Sequence, residues 1–289
     1  MTVYKAQVLK NFGQNAVTYD QYAVVQKEMA KELFGKIIKM ECCFQNILEI
    51  GCGTGFLTEL LAREYPNAQI ITTDIAPEMI AIASKKLTAY ANIQYFVADG
   101  ENLSTVDQVS FGKLPFDLIV SNVVFQWFVE YAAAFTQYHS YLEPGGYLIF
   151  STLGVGTFKE LYCCLKDAQN GNPTLKLANV AHKLADPGNL EKREPFIEKK
   201  YLQMIMINSG FKQMGIEGIT KQEYFDSSRD FLRALKMIGA HNYLTEELPV
   251  KGLGTGIFSL IKSYDKMFCD EMGVPATYQC LYCWGRRTT

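Results

Sequence analysis

Long apolar runs, an excess of one charge, and histidine are all scarce in this chain. No stretch approaches the ~20 continuous apolar residues that a membrane-spanning helix requires. The opening residues, Met1 to Gln7, also lack the charged start, apolar core and cleavage site of a secretory signal. A soluble, cytoplasmic protein with no membrane partner is the expectation. Lysine and arginine number 28 against 30 acidic residues, a net charge of −2. No nucleic-acid partner is indicated, because neutralising a phosphate backbone takes clustered cations. The 8 cysteines include the neighbours Cys42-Cys43 and Cys163-Cys164. In a chain this long without a signal they read as reduced thiols rather than a disulfide framework. Cys280-x-x-Cys283 has no second cysteine or histidine pair to complete the four ligands of a structural zinc site. No metal is expected, and the two cysteines read as small buried side chains on a strand.

What is present is an apolar fraction of 48% over 289 residues, enough for one large domain or one domain with a substantial insertion. Apolar residues recur at helical spacing from Asn15 to Lys39, which predicts a helical lead-in. A short apolar burst at Asn46 to Ile50 then runs into Gly51-Cys52-Gly53-Thr54-Gly55 and a helix-like stretch. Further strands are predicted at Gln69 to Asp74, Ile93 to Ala98, Phe116 to Ser121 and Gly146 to Thr152, with helices at Pro77 to Leu87 and Tyr131 to Leu142. Such β-α alternation implies an α/β fold, a doubly wound Rossmann-like sheet with helices on both faces. After Thr152 the rhythm breaks, and a helical cap insertion is expected before strands at Ile216 to Phe225 and Thr277 to Trp284. The expected organisation is a helical lead-in or lid over 1–40, a cofactor-binding core over 41–152, a helical cap over 153–212, and the final strands with a helical insertion over 213–289.

Glu49-x-Gly51-x-Gly53-x-Gly55 stands at the carboxyl end of the first strand, where ligands bind in doubly wound sheets. Asp74 ends the next strand about 20 residues on, placed to accept the hydroxyl protons of a ribose. Asp99-Gly100 ends the third, with a carboxylate placed to read an adenine amino group. Taken singly, the loop could be a plain turn and Asp74 a helix cap; together they outline a nucleoside-shaped crevice. A pyrophosphate would be repelled by Glu49, and the Gly-Lys-Ser/Thr ending of a phosphate-binding loop is absent. A cationic cofactor such as S-adenosylmethionine suits the pattern better. A nicotinamide-dependent dehydrogenase is a minor alternative.

With these residues the chain resembles the class I S-adenosylmethionine-dependent methyltransferases over Asn46 to Thr152, including Asp74-Ile75-Ala76-Pro77-Glu78-Met79. It is most similar to the malonyl-acyl-carrier-protein O-methyltransferases of biotin synthesis. That similarity lies in Tyr19-Asp20 with Ala23 and Gln26, in Ser121 to Trp127, in Phe150 to Leu161, and in Leu235-Lys236-x-Ile238-Gly239-Ala240 with Tyr278. The element Asn/Asp-Pro-Pro-aromatic of nucleic-acid amino-methyltransferases is replaced by Ser121-Asn122-Val123-Val124.

The resemblance implies methyl transfer from S-adenosylmethionine to the free carboxylate of malonyl-acyl-carrier protein, with malonyl-CoA as a further acceptor and S-adenosylhomocysteine as by-product. It implies cofactor binding by Glu49, Gly51, Gly53, Gly55, Asp74, Ile75, Met79, Asp99, Gly100 and Asn122. Tyr19, Gln126, Trp127 and Lys236 are the candidates to align the reacting groups, Lys236 as partner of the substrate carboxylate. Each has a structural alternative: Tyr19 as a helix anchor, Trp127 as core packing, Lys236 as a solvated helix lysine. Lys192, Arg193, Lys199 and Lys200 are nominated as a basic rim for the acidic carrier, although a solvated face shared with Glu191, Glu194 and Glu198 is the stronger reading. Two other functions compete: methylation of a small carboxylic acid or quinone precursor, and a catalytically silent cofactor-binding interaction module.

Overall fold

The computed structural model describes residues 2–103, 115–171, 196–240 and 254–288; for residue 3 and for 166–171 and 254–259 it describes backbone only. The strands are β1 (Asn46–Ile50), β2 (Gln69–Asp74), β3 (Ile93–Val97), β4 (Phe116–Asn122), β5 (Leu142–Leu153), β6 (Lys212–Phe225) and β7 (Val274–Arg286). They form one sheet in the order β3-β2-β1-β4-β5-β7-β6. The first five are parallel, and β7 inserts antiparallel between β5 and β6. β6 therefore runs parallel to the first five strands, and β7 alone is reversed. β1 and β4 are buried along almost their whole length because both faces are covered.

The helices are α1 (Val3–Tyr22), α2 (Val24–Ile38), α3 (Phe56–Glu64), α4 (Pro77–Lys86), α5 (Tyr131–Tyr141), α6 (Lys159–Gly171), α7 (Lys199–Asn208), α8 (Ser228–Met237) and α9 (Gly254–Phe268). The lead-in is two helices rather than one, and it begins twelve residues earlier than its apolar rhythm indicated. Thr2 caps α1 by accepting from the Lys5 amide at 3.3 Å, and the helix breaks at Ala23, whose φ and ψ are −82° and 49°. Ala23 is wholly buried, so the corner is set by packing, without glycine or proline.

Two apolar cores flank the sheet. One holds α2 residues such as Met29 and Leu33 with Tyr278, Cys280 and Tyr282. The other holds Phe125, Phe135 and Phe150 with Leu281 and Cys283. The two-residue period of β7 thus sends Cys280 and Cys283 to opposite faces.

Of the expected cap over 153–212, residues 172–195 lie outside the described residues. α7 packs on the sheet face through Leu202, Ile205 and Met206, leaving Lys199 and Lys200 exposed there. Lys192 and Arg193 lie outside the described residues, as do most of residues 165–205. Among the described residues, it is α1 that covers the cleft.

Candidate active site

The crevice opens at the carboxyl ends of β1, β2, β3 and β4. Its lining brings together Gly51, Gly53, Asp74, Ile75, Met79, Asp99, Gly100 and Asn122, with Tyr19 and Trp127 at one end. The glycine loop is held in backbone shapes that need glycine: φ is 71° at Gly51, 54° at Gly53 and 85° at Gly55. A Cβ on Gly51 would stand 2.3 Å from Val124 Cγ2, and one on Gly100 would stand 2.4 Å from Ile50 Cγ2. Side chains at either position would crowd the cradle that a ligand needs.

Asp74 accepts from the backbone N–H of Gly53 and of Ala76, both at 2.9 Å. Burial pushes its carboxyl up to about 6, against the favourable N–H groups of Ala76, Gly53 and Ile75. Asp99 is engaged by a residue with no earlier role: Lys5 donates to its two oxygens at 2.7 and 2.5 Å and also pairs with Glu101. Glu101 in turn accepts from the backbone N–H of Val129 at 2.7 Å and of Glu130. One lysine thereby ties α1 to the β3 end and to the wall beyond Trp127.

Four expected residues are not brought to this cavity. Glu49 is 1% exposed and lies beneath the loop, accepting from Thr58 Oγ1 at 2.6 Å and Thr72 Oγ1 at 2.9 Å. Burial pushes its carboxyl up to about 7, against those two hydrogen bonds. The carboxylates that line the cavity itself are those of Asp74 and Asp99. Gly55 caps α3, and a Cβ there would meet Leu87 Cδ1 at 2.9 Å. Lys236 is exposed on α8 and lines no described cavity; its neighbours Leu235 and Ile238 turn inward. Gln126 belongs to a second cavity.

That second cavity adjoins the first, sharing Phe12, Tyr19, Val123 and Trp127. Its other walls include Gln26, Gln126, Leu153, Phe158 and Tyr278. Trp127 packs edge-on against Phe12 with ring centroids 5.2 Å apart, so its indole serves as wall and core at once. Burial, then nearby Asp74 and Asp20, holds the Tyr19 phenol above its ordinary range, which keeps it a donor at neutral pH. Val123 sits at φ 55°, an uncommon shape for a β-branched residue, fixed by its amide bonds to Ser151. Asn122 binds Ser151 Oγ at 2.7 Å and donates to the Gln26 carbonyl at 3.0 Å. The residues that sequence reasoning missed are chiefly Lys5, Val8 and Phe12. Their i, i+3, i+7 spacing, continued by Tyr19, marks one face of α1 and was available in the sequence.

The chemistry of this donor set fits S-adenosylmethionine. Two carboxylates at adjacent strand ends suit ribose hydroxyls and an adenine amine, Ile75 and Met79 supply apolar faces, and the one lysine among the described lining residues is already neutralised. Sheet order, antiparallel β7 and this crevice define a class I S-adenosylmethionine-dependent methyltransferase. The methyltransferase domain family matches residues 47–146. Similar folds are the YcgJ protein of Bacillus subtilis, with a TM-score of 0.56, 16% identity and coverage of 90% of this chain and 99% of that one, and the plantazolicin methyltransferase BpumL solved with S-adenosylhomocysteine, with a TM-score of 0.51, 14% identity and coverage of 99% and 97%. Among sequences, the malonyl-[acyl-carrier protein] O-methyltransferase of Priestia megaterium is 35% identical over 96% of both chains. That of Geobacter sulfurreducens is 30% identical over 98% of this chain and 99% of its own. The chain belongs to the malonyl-[acyl-carrier protein] O-methyltransferase family.

Proposed function

We propose that this chain methylates the free carboxylate of a malonyl group carried on acyl-carrier protein, with malonyl-CoA as a further acceptor, in the cytoplasm. The observation that carries this reading is the pair of adjoining cavities, one acidic and nucleoside-shaped, the other largely apolar, meeting at Tyr19 and Trp127. S-adenosylmethionine, when bound, supplies an electrophilic methyl group on a positively charged sulfur. Asp74 and Asp99 are the residues to hold its ribose and adenine, and Ile75 and Met79 to pack against the base.

An oxygen–carbon bond forms, a carbon–sulfur bond breaks with its electron pair left on sulfur, and no proton moves. The acceptor carboxyl, with an ordinary pKa near ~4, is already ionised at neutral pH. No general base is required, in keeping with described wall residues that offer phenols and amides and no histidine. The protein's task is alignment, holding the reacting atoms ~3 Å apart and in line. α1 excludes water over the junction through Phe12 and Tyr19. A dry junction favours a step in which opposite charges vanish, since water stabilises the separated ions more than the dispersed transition state.

The test uses cofactor carrying an isotopic methyl group, with malonyl carrier, malonyl-CoA and free malonate as acceptors. Label on the carrier that is released as methanol by mild alkali is expected, the mark of a carboxyl ester. Alkali-stable label, as on a quinone-precursor phenol, or none at all from protein that binds S-adenosylhomocysteine, overturns the assignment.

A further inference from the structure

The second cavity has to hold an anion, yet no lysine, arginine or histidine appears among its described lining residues. Lys5, in the neighbouring cavity, is spent on Asp99 and Glu101, and Lys236 points away. The polar groups facing the space differ in how they are committed. Gln126 donates to the Val123 carbonyl at 2.8 Å and accepts from Thr152 at 3.3 Å. The Tyr278 hydroxyl reaches Glu223 at 3.5 Å. By contrast, the side-chain amide of Gln26 and the hydroxyl of Tyr19 make no hydrogen bond among the described residues, and both line the cavity.

Gln26 is also firmly placed. Asn122, at the carboxyl end of β4, holds its backbone carbonyl. It stands in the first turn of α2, whose N-cap Ala23 offers no side-chain acceptor, so the positive end of the helix lies beside the same amide.

We propose that Gln26 is an acceptor-binding residue: its side-chain amide donates to one oxygen of the malonyl carboxylate while the Tyr19 hydroxyl donates to the other. The assignment rests on the function proposed above. Neutral donors orient a carboxylate without forming the tight ion pair a lysine would impose. The oxygen keeps its nucleophilicity, and its counter-charge is the sulfonium with which it reacts.

The experiment compares Gln26→Leu and Gln26→Glu with the parent, reading KM and kcat for malonyl carrier and, by calorimetry, affinity for S-adenosylhomocysteine. Gln26→Leu is expected to raise acceptor KM about tenfold or more, with by-product affinity within about twofold of the parent, which also reports an intact fold. Gln26→Glu sets carboxylate against carboxylate. It should lose more, and its activity relative to the parent should climb as pH falls from 8 to 6 and the new carboxyl takes up a proton. An unchanged acceptor KM in Gln26→Leu, an equal fall in by-product affinity, or a pH-independent defect in Gln26→Glu overturns the clamp. A parent that binds by-product but methylates no carrier overturns the acceptor assignment, and the clamp with it.

Discussion

Asp74 shows how much of the site rests on single side chains. Its carboxylate is held by the amides of Gly53 and Ala76 while the residue lines the cavity, where it can accept from ribose hydroxyls. Asp74→Ala is expected to weaken S-adenosylhomocysteine binding by ~1 to 3 kcal/mol in calorimetry; unchanged affinity removes it from the site. Because burial lifts its carboxyl to about 6, cofactor affinity should hold steady above that pH and fall by up to about tenfold per unit below it. Glu49 carries the opposite kind of prediction, one of stability. Its carboxyl sits at about 7 in the fold against 4.5 as a free group. The fold therefore binds the proton more tightly than the unfolded chain, and that stabilisation is full below 4.5 and lost as pH rises through 7. Glu49→Gln, which keeps an oxygen for Thr58 and Thr72, should flatten this dependence by roughly 3 kcal/mol between pH 4.5 and 7.5; parallel denaturation curves for parent and variant across that range would refute it. The glycines and Asp74 were legible in sequence because their distances from strand ends are fixed by the fold. The direction of Glu49 was not, because a strand buried on both faces has no polar alternation to say which way a side chain points.

At the scale of elements, α1 is the piece whose importance the sequence understated. Lys5, Val8, Phe12 and Tyr19 lay one helical face over the cleft, and the two ends of the helix are fastened by charge. At one end Lys5 grips Asp99 and Glu101; at the other Asp20 accepts from Thr54 of the glycine loop at 2.7 Å. Burial opposes ionisation of Asp20, but the Thr54 hydrogen bond and the nearby Lys86 and Lys27 outweigh it and keep its carboxyl below the usual value. Removing Lys5 leaves two carboxylates facing each other, one of them buried. Lys5→Met is expected to cost ~3 kcal/mol of stability and to speed amide exchange over residues 5–12 while α2 keeps its protection. Equal exchange in parent and variant would show that the helix is held by its apolar face alone. Bounds of the central strands β1, β2 and β4 were readable to within a few residues because each carries a short apolar burst ended by turn residues. The antiparallel run of β7 was not, since strand direction leaves no mark in composition, and neither was the α1–α2 corner, which packing makes at a buried alanine.

In the whole molecule, a doubly wound sheet brings the ends of four parallel strands to one edge, and the antiparallel pair beyond β5 closes its far side. Tyr278 and Phe158, far from the glycine loop in sequence, thereby wall the acceptor cavity beside Leu153 of β5. The fold and cofactor crevice lie mostly in the consecutive first half of the chain and were accessible to motif reading. The second cavity is assembled from α1, α2, β5, α8 and β7, and it emerges only once tertiary packing has brought them together. The most direct test of methyl transfer to a malonyl carrier is the intact mass of that carrier after incubation with the protein and S-adenosylmethionine. The account predicts a gain of ~14 mass units, dependent on both the malonyl group and Asp74, from the mass difference between a methyl group and the hydrogen it replaces on an acid that is already ionised at neutral pH. No gain, from carrier shown to be malonylated and protein shown to bind the cofactor, would contradict it.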